Sequence, residues 1–363
     1  MKLPCITMLA TLLLTAPAAA QLQITPPATT PSAPAEKQKP KPPTTAKKEA
    51  APAPKPSASP KPSPAPKPSP SPKPAATVIP APATEDPNVD LVFGAYQRGQ
   101  YKTAFELATA RAQAGDPKAM TMLGELYSNA MGIRRDYAKA AEWYKRAADA
   151  GDREAMFALA MLRISGRGGS VDKGEAVRLM ASAAKLGEPK AAYNLALLYL
   201  DGQTLPQDVK RSAELLRQAA DAGLPEAQYA LATFYKEGTG VPKDPERAVR
   251  LLQAASLADN VDAEVEYAIA MFNGTGTPKN QPAAVALLRK ASRQGSAIAQ
   301  NRLAWVLING VGTSIDKVEG FKWHLVAKTA GKGDPELDKQ LSELPAEERA
   351  KAEAAARKWL GTK

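Results

Sequence analysis

The chain has 363 residues, with 33 prolines, a single cysteine and a net charge of +11. That cysteine, Cys5, falls within the first twenty residues, so everything after it is excluded from disulfide and thiolate-metal chemistry. The positive excess forms no arginine-rich patch with interleaved aromatics, +5 lying in residues 21–87 and +5 in residues 88–363, so nucleic acid is not an expected partner.

Residues 1–20 read as a secretory signal: Lys2 supplies a basic start, Ile6 to Thr15 an apolar run, and Ala18-Ala19-Ala20 a small-residue cleavage site before Gln21. The apolar run is too short to span a bilayer, so no transmembrane span is expected after cleavage. The expected location is the periplasm or the exterior; retention as an uncleaved anchor is the alternative.

Residues 21–87 hold twenty-one prolines and almost no large apolar side chain, which predicts a disordered Pro/Lys-rich linker. Lys55, Lys61, Lys67 and Lys73 stand six residues apart within it. In a polyproline II rod that places four ammonium groups along one edge, roughly 19 Å apart. Such an edge suits an anionic cell-wall polymer or headgroup surface; alternatively, the lysines only keep a proline spacer soluble.

From residue 116 one unit is written six times. Gly115, Gly151, Gly187, Gly223, Gly295 and Gly331 keep a 36-residue register, with Asp259 in the remaining slot. Ala119, Ala155, Ala191, Ala227, Ala263 and Ala299 keep it too, as do Ala147, Ala183, Ala219, Ala255, Ala291 and Ala327. Constant length without insertions means one supersecondary piece stacked on itself, since each alone cannot bury its apolar face. Each unit reads as two helices. Asp116 with Pro117 opens helix A, and glycines at 166, 202, 238, 274 and 310 suit the left-handed position that ends it. Asp136, Asp172, Asp208, Asp244, Asn280 and Asp316 then cap helix B. Residues 88–115 read as a shorter half unit, and residues 332–363 as a charged helical cap.

The unit A-x-x-x-L-A/G-x-x-Y, G-x-G-V-x-x-D, K-A-x-x-W-Y-x-x-A-A-x-x-G, best seen in "AMTMLGELYSNAMGIRRDYAKAAEWYKRAADAG", resembles the Sel1-like repeat, a relative of the tetratricopeptide repeat. The resemblance covers residues 116–331 and implies an all-α, right-handed solenoid of tandem two-helix repeats. It also implies an adaptor whose helix A residues line a concave face for partner proteins, often in bacterial envelopes. The exported setting is similar to that of Sel1-like periplasmic regulators of exopolysaccharide synthesis in rhizobia.

Some cysteine-rich secreted Sel1-like proteins are linked to β-lactam binding or hydrolysis, which makes a hydrolase of β-lactam or peptidoglycan-like substrates the alternative function. Two S-x-x-K strings, Ser182 to Lys185 and Ser314 to Lys317, could in principle pair a nucleophile with a base, but neither has S-D-N or K-T-G companions. His324 is the one histidine and falls in an apolar column with Tyr144, Met180, Leu216, Leu252 and Leu288, so a packed histidine is favoured over a general base. No enzyme activity, metal or cofactor is expected. A third reading gives the function to the arm, with the repeats as bulk attached to the cell wall.

The tetratricopeptide pattern, with Leu123-Gly124 as its L-G pair, implies which helix A columns face a groove. One column reads Thr121, Phe157, Tyr193, Tyr229, Val265, Asn301, and another Glu125, Met161, Leu197, Thr233, Ile269, Trp305. A third is polar throughout: Asn129, Ser165, Asp201, Glu237, Asn273, Asn309. An apolar strip beside amides and carboxylates suits a protein or peptide in the cell envelope, since side chains need pockets and backbone needs hydrogen-bonding groups. The competing reading packs Phe157, Tyr193 and Tyr229 only against the next helix A.

Overall fold

The computed structural model describes residues 90–361. The expected signal segment and the arm with Lys55, Lys61, Lys67 and Lys73 lie outside the described residues. Among the described residues there are sixteen α-helices and no strand. None of these helices is long and apolar enough to cross a membrane.

Two helices come first, α1 (Leu91–Gln97) and α2 (Tyr101–Gln113). Repeat 1 is α3 (Pro117–Asn129) with α4 (Tyr137–Asp149), repeat 2 α5 (Arg153–Ser165) with α6 (Lys173–Lys185), and repeat 3 α7 (Pro189–Asp201) with α8 (Val209–Asp221). Repeat 4 is α9 (Pro225–Glu237) with α10 (Pro245–Leu257), repeat 5 α11 (Val261–Asn273) with α12 (Gln281–Arg293), and repeat 6 α13 (Ala297–Asn309) with α14 (Lys317–Thr329). Then come α15 (Pro335–Ser342) and α16 (Ala346–Gly361). Consecutive helices pack antiparallel-fashion through short turns, and α16 returns to pack on α14, where Trp323 and Trp359 meet edge to face at 5.0 Å. The result is an all-α solenoid of tandem repeats.

The helix boundaries follow from side-chain chemistry. The Asp136, Asp172, Asp208, Asp244, Asn280 and Asp316 side chains each accept from the third backbone amide of helix B, at 2.7–3.1 Å. The amide of each capping residue also donates to a carbonyl nine positions back, as Asp244 does to Tyr235 at 2.9 Å, which closes the turn between helices A and B. At the other end of each helix B, the amide after the closing glycine or aspartate donates to the register alanine's carbonyl, as Glu188 does to Ala183 at 2.9 Å. Asp259 adopts φ +58°, the left-handed bend that glycine takes at this register position in the other repeats, and aspartate is among the few residues that tolerate it.

The alanine columns are the seams. Ala147, Ala183, Ala219, Ala255, Ala291 and Ala327 are fully buried, and Ala119 through Ala299 nearly so. Small side chains there let helices approach to about 8–10 Å, and a larger one would overpack the seam. The column of Tyr144, Met180, Leu216, Leu252, Leu288 and His324 fills the interior, each buried leucine contributing about 2 kcal/mol. Gly124 faces Tyr144 so closely that an added Cβ would stand 2.5 Å from the ring. Where the interior residue is smaller, the matching position is Ala160, Ala196, Ala232, Ala268 or Ala304. His324 is fully buried, its Nε2 2.9 Å from Asp338 Oδ1 on α15, which Lys328 also reaches at 2.8 Å.

The second glycine of the A-to-B turn joins successive repeats. An added Cβ at Gly240 would lie 2.6 Å from the Val209 carbonyl oxygen, so the turn of repeat 4 rests on the first residue of α8 in repeat 3. Gly168, Gly276 and Gly312 make the same close approach to Tyr137, Pro245 and Gln281.

Candidate functional site

The exposed faces of the six A helices carry the candidate binding columns. At both ends of the first column the side chain is engaged by the residues that follow helix B of its own repeat. Thr121 Oγ1 donates to Asp152 Oδ1 at 3.1 Å, and Asn301 Nδ2 donates to the Lys332 carbonyl at 3.2 Å. Val265 is buried. Between them Phe157, Tyr193 and Tyr229 are half-buried, their inner edges packed against the alanine-rich core of repeats 2 to 5. The rings do not stack on one another. Among the described residues, neither the Tyr193 nor the Tyr229 hydroxyl has a hydrogen-bond partner. Tyr96, Tyr144 and Tyr235 differ: their hydroxyls are held by Glu125 at 2.6 Å, Ser128 at 3.3 Å, and Arg217 and Arg247 at 3.4 Å.

In the second column, Met161, Leu197 and Trp305 are half-buried, whereas Ile269 is only 9% exposed because α11 is buried over most of its length, Val265, Met271 and Phe272 included. Glu125 is held by Tyr96, and Thr233 bonds back to the Tyr229 carbonyl at 3.2 Å. In the polar column, Ser165 and Asn309 bond to their own helix, to the Met161 carbonyl at 2.8 Å and the Trp305 carbonyl at 2.9 Å. Asn129, Glu237 and Asn273 are exposed and Asp201 half-buried, and among the described residues these four have no hydrogen-bond or ion-pair partner. Amide and carboxyl groups are therefore available beside an apolar strip.

Sequence spacing alone missed the acidic groups that the next repeat brings to the tyrosines. Burial, and then Glu226 of repeat 4, raise the Tyr193 phenol above its ordinary value. Burial raises that of Tyr229 further, aided by Glu266, Asp262 and Glu237. Asp262 is itself raised, by burial and then by Glu266. Lys236 answers Glu266 at 3.1 Å, whereas Glu226, Glu237 and Asp262 have no ion-pair partner among the described residues. A constant step of 33 residues, from 193 to 226 and from 229 to 262, marks the relation in the sequence once the stacking is known.

The serines of the two S-x-x-K strings are placed apart from this face. Ser182 is exposed on helix B of repeat 2, and Ser314 is exposed in the turn of repeat 6.

Six consecutive segments match the Sel1 repeat model, at residues 117–152, 153–188, 189–224, 225–260, 261–296 and 297–332. A Sel1 repeat protein from Oxalobacter formigenes is 27% identical in its crystal structure, with a TM-score of 0.59 and coverage of 66% of this chain and 98% of that one. The protective antigen c5321 of uropathogenic Escherichia coli, which displays an SLR fold, shares the fold at 23% identity and a TM-score of 0.51, covering 71% of this chain and 64% of its own. No curated protein matches the chain. Sel1-repeat proteins are generally scaffolds for protein–protein interaction. With six in-register matches spanning more than half its length, the chain belongs to the Sel1 repeat family.

Proposed function

We propose that this protein is an exported, non-enzymatic adaptor that holds an extended protein segment along the concave face of its A helices. The observation that carries this reading is the state of Tyr193 and Tyr229: both rings are half-buried, and among the described residues neither hydroxyl has a hydrogen-bond partner. Large rigid rings of this kind bury area at little conformational loss and dominate many interfaces. The flanking Asn129, Asp201, Glu237 and Asn273 offer the hydrogen-bonding groups that a bound backbone requires. The signal-like start supports export, which points to envelope signalling or exopolysaccharide synthesis as the setting.

The test is a pull-down from the envelope fraction followed by titration of the recovered partner. Tyr193→Ala/Tyr229→Ala is expected to weaken binding by about thirtyfold per truncated ring, about 2 kcal/mol each, while melting near wild type. Ala191→Leu, which enters a seam, serves as the destabilised control. Normal binding by the tyrosine variant would move the binding surface elsewhere. Recovery of a mature protein beginning at Gln21 tests export separately.

A further inference from the structure

The half-buried cations on the six A helices are Arg163, Lys236 and Arg302. Arg163 meets Glu175 at 2.6 Å, and Lys236 meets Glu266 at 3.1 Å. Arg302 has no ion-pair or hydrogen-bond partner among the described residues, and its Nε is sealed from solvent. The register gives the reason. Lys236 and Glu266 bridge the A helices of repeats 4 and 5, and one repeat further on the same two positions hold Phe272 and Arg302. Phe272 is buried and offers no charge. Glu266 is engaged with Lys236, and Asp334, the first acid after repeat 6, caps α15 through the amides of Glu336 and Leu337 at 2.9 and 3.3 Å. Trp305, a groove-column residue one turn along α13 from Arg302, is half-buried against the core cluster that contains Phe272.

We propose that Arg302 and Trp305 seat an acidic side chain of the bound segment, its carboxylate across the outer edge of the guanidinium and a neighbouring apolar residue against the indole. The proposal rests on the adaptor reading and adds the chemistry of the partner. A desolvated N–H without an acceptor is costly to maintain, so the free protein holds a cation that lacks its counter-charge. The other guanidinium nitrogens are not closed off, and their planar fork matches the two oxygens of a carboxylate. One guanidinium balances one carboxylate, whereas a phosphate group would bring nearly two negative charges. A basic residue in the partner would meet like charge at this position, which is the basis of its rejection.

The experiment selects a displayed library of random dodecamer peptides on the full chain and, in parallel, on Arg302→Met, which keeps an unbranched apolar stem and removes the charge. Sequences enriched on wild type over the variant are expected to carry Asp or Glu beside a large apolar residue. The most enriched one, synthesised with an amidated C-terminus, is expected to bind Arg302→Met about tenfold more weakly. Changing its own Asp or Glu to the amide should weaken it equally, and the two changes together should weaken it no further. Enriched sequences without an acidic residue, losses that simply add, or binding only through a free C-terminal carboxylate would overturn the acidic side chain while leaving the adaptor face intact. Sequences selected equally on wild type and Arg302→Met but lost on Tyr193→Ala/Tyr229→Ala would do the same. No enrichment on wild type, or enrichment indifferent to all three proteins, would overturn both readings. Arg302→Met is expected to melt no lower than wild type, because it removes the unsatisfied N–H. A midpoint well below wild type would mean that the guanidinium is already satisfied within the chain, and would overturn the seat described here.

Discussion

Arg163 Nε and Glu175 Oε2 meet at 2.6 Å across repeat 2, in the place where three other repeats set a cation over a tyrosine ring. There Lys139 lies 5.5 Å from Tyr127, Arg211 4.9 Å from Tyr199 and Arg247 5.6 Å from Tyr235. All four clasps tie the last turn of helix A to the first turn of helix B. Glu175→Lys alone sets two cations against each other and is expected to destabilise by about 1 kcal/mol. Arg163→Tyr/Glu175→Lys rebuilds the ring clasp and should recover the wild-type melting midpoint. A double variant no better than the single one would mean that the two clasps are not interchangeable.

The turn glycines separate two effects. Gly223 and Gly240 both have positive φ, but an added Cβ meets nothing within 4 Å at Gly223 and the Val209 carbonyl at 2.6 Å at Gly240. Gly223→Ala therefore carries only the left-handed penalty, about 1–2 kcal/mol. Gly240→Ala must also displace repeat 4 from repeat 3, so its melting midpoint is expected to fall well below that of Gly223→Ala. Ala130, left-handed at φ +58°, provides the converse: Ala130→Gly should raise the midpoint.

Glu264 is fully buried in repeat 5, with Lys290 Nζ at 3.1 Å and shared with Asp259. The same position in repeats 4 and 6 holds Gln228 and Gln300, whose amides donate to the Ala220 and Ser292 carbonyls at 3.3 and 3.1 Å. Lys290→Ala removes the cation from a buried carboxylate and is expected to cost about 3 kcal/mol. Glu264→Gln in that background should restore most of the loss by reproducing the neighbours' amide bond, here to Ser256. Thermal melts of the two variants decide it.

Burial raises the Tyr144 phenol from 10.0 to about 12. The unfolded chain thus loses this proton before the folded one does. The stabilisation is complete below pH 10 and drains away as pH rises from 10 through 12. Tyr144→Phe has no proton to lose, so its melting midpoint should fall less than wild type between pH 9 and pH 11. Tyr193 and Tyr229 are shifted the same way, so part of the slope remains in the variant.

The 36-residue register made the alanine seams, the helix B caps and the bend at Asp259 legible, because each depends on its own residue type and local backbone. The register could not say which side chain of the next repeat each residue meets. The Gly240 contact with Val209 and the ion pair of Lys236 with Glu266 arise from stacking, which no single repeat encodes. The column of Ile269 marks it as a groove residue, yet Val265, Met271 and Phe272 bury faces of its helix that are open in other repeats. It shares a core cluster with Trp305 of repeat 6.

The fit of Gly124 to Tyr144 has a consequence for how such a chain can be recombined. The bulk on helix B is balanced by a hollow on helix A of the same repeat, so whole repeats are the natural cassettes for grafting. A crossover inside a repeat that placed Tyr144 opposite an alanine would force two solids into one space, whereas a cut at a register glycine such as Gly151 keeps each matched pair together.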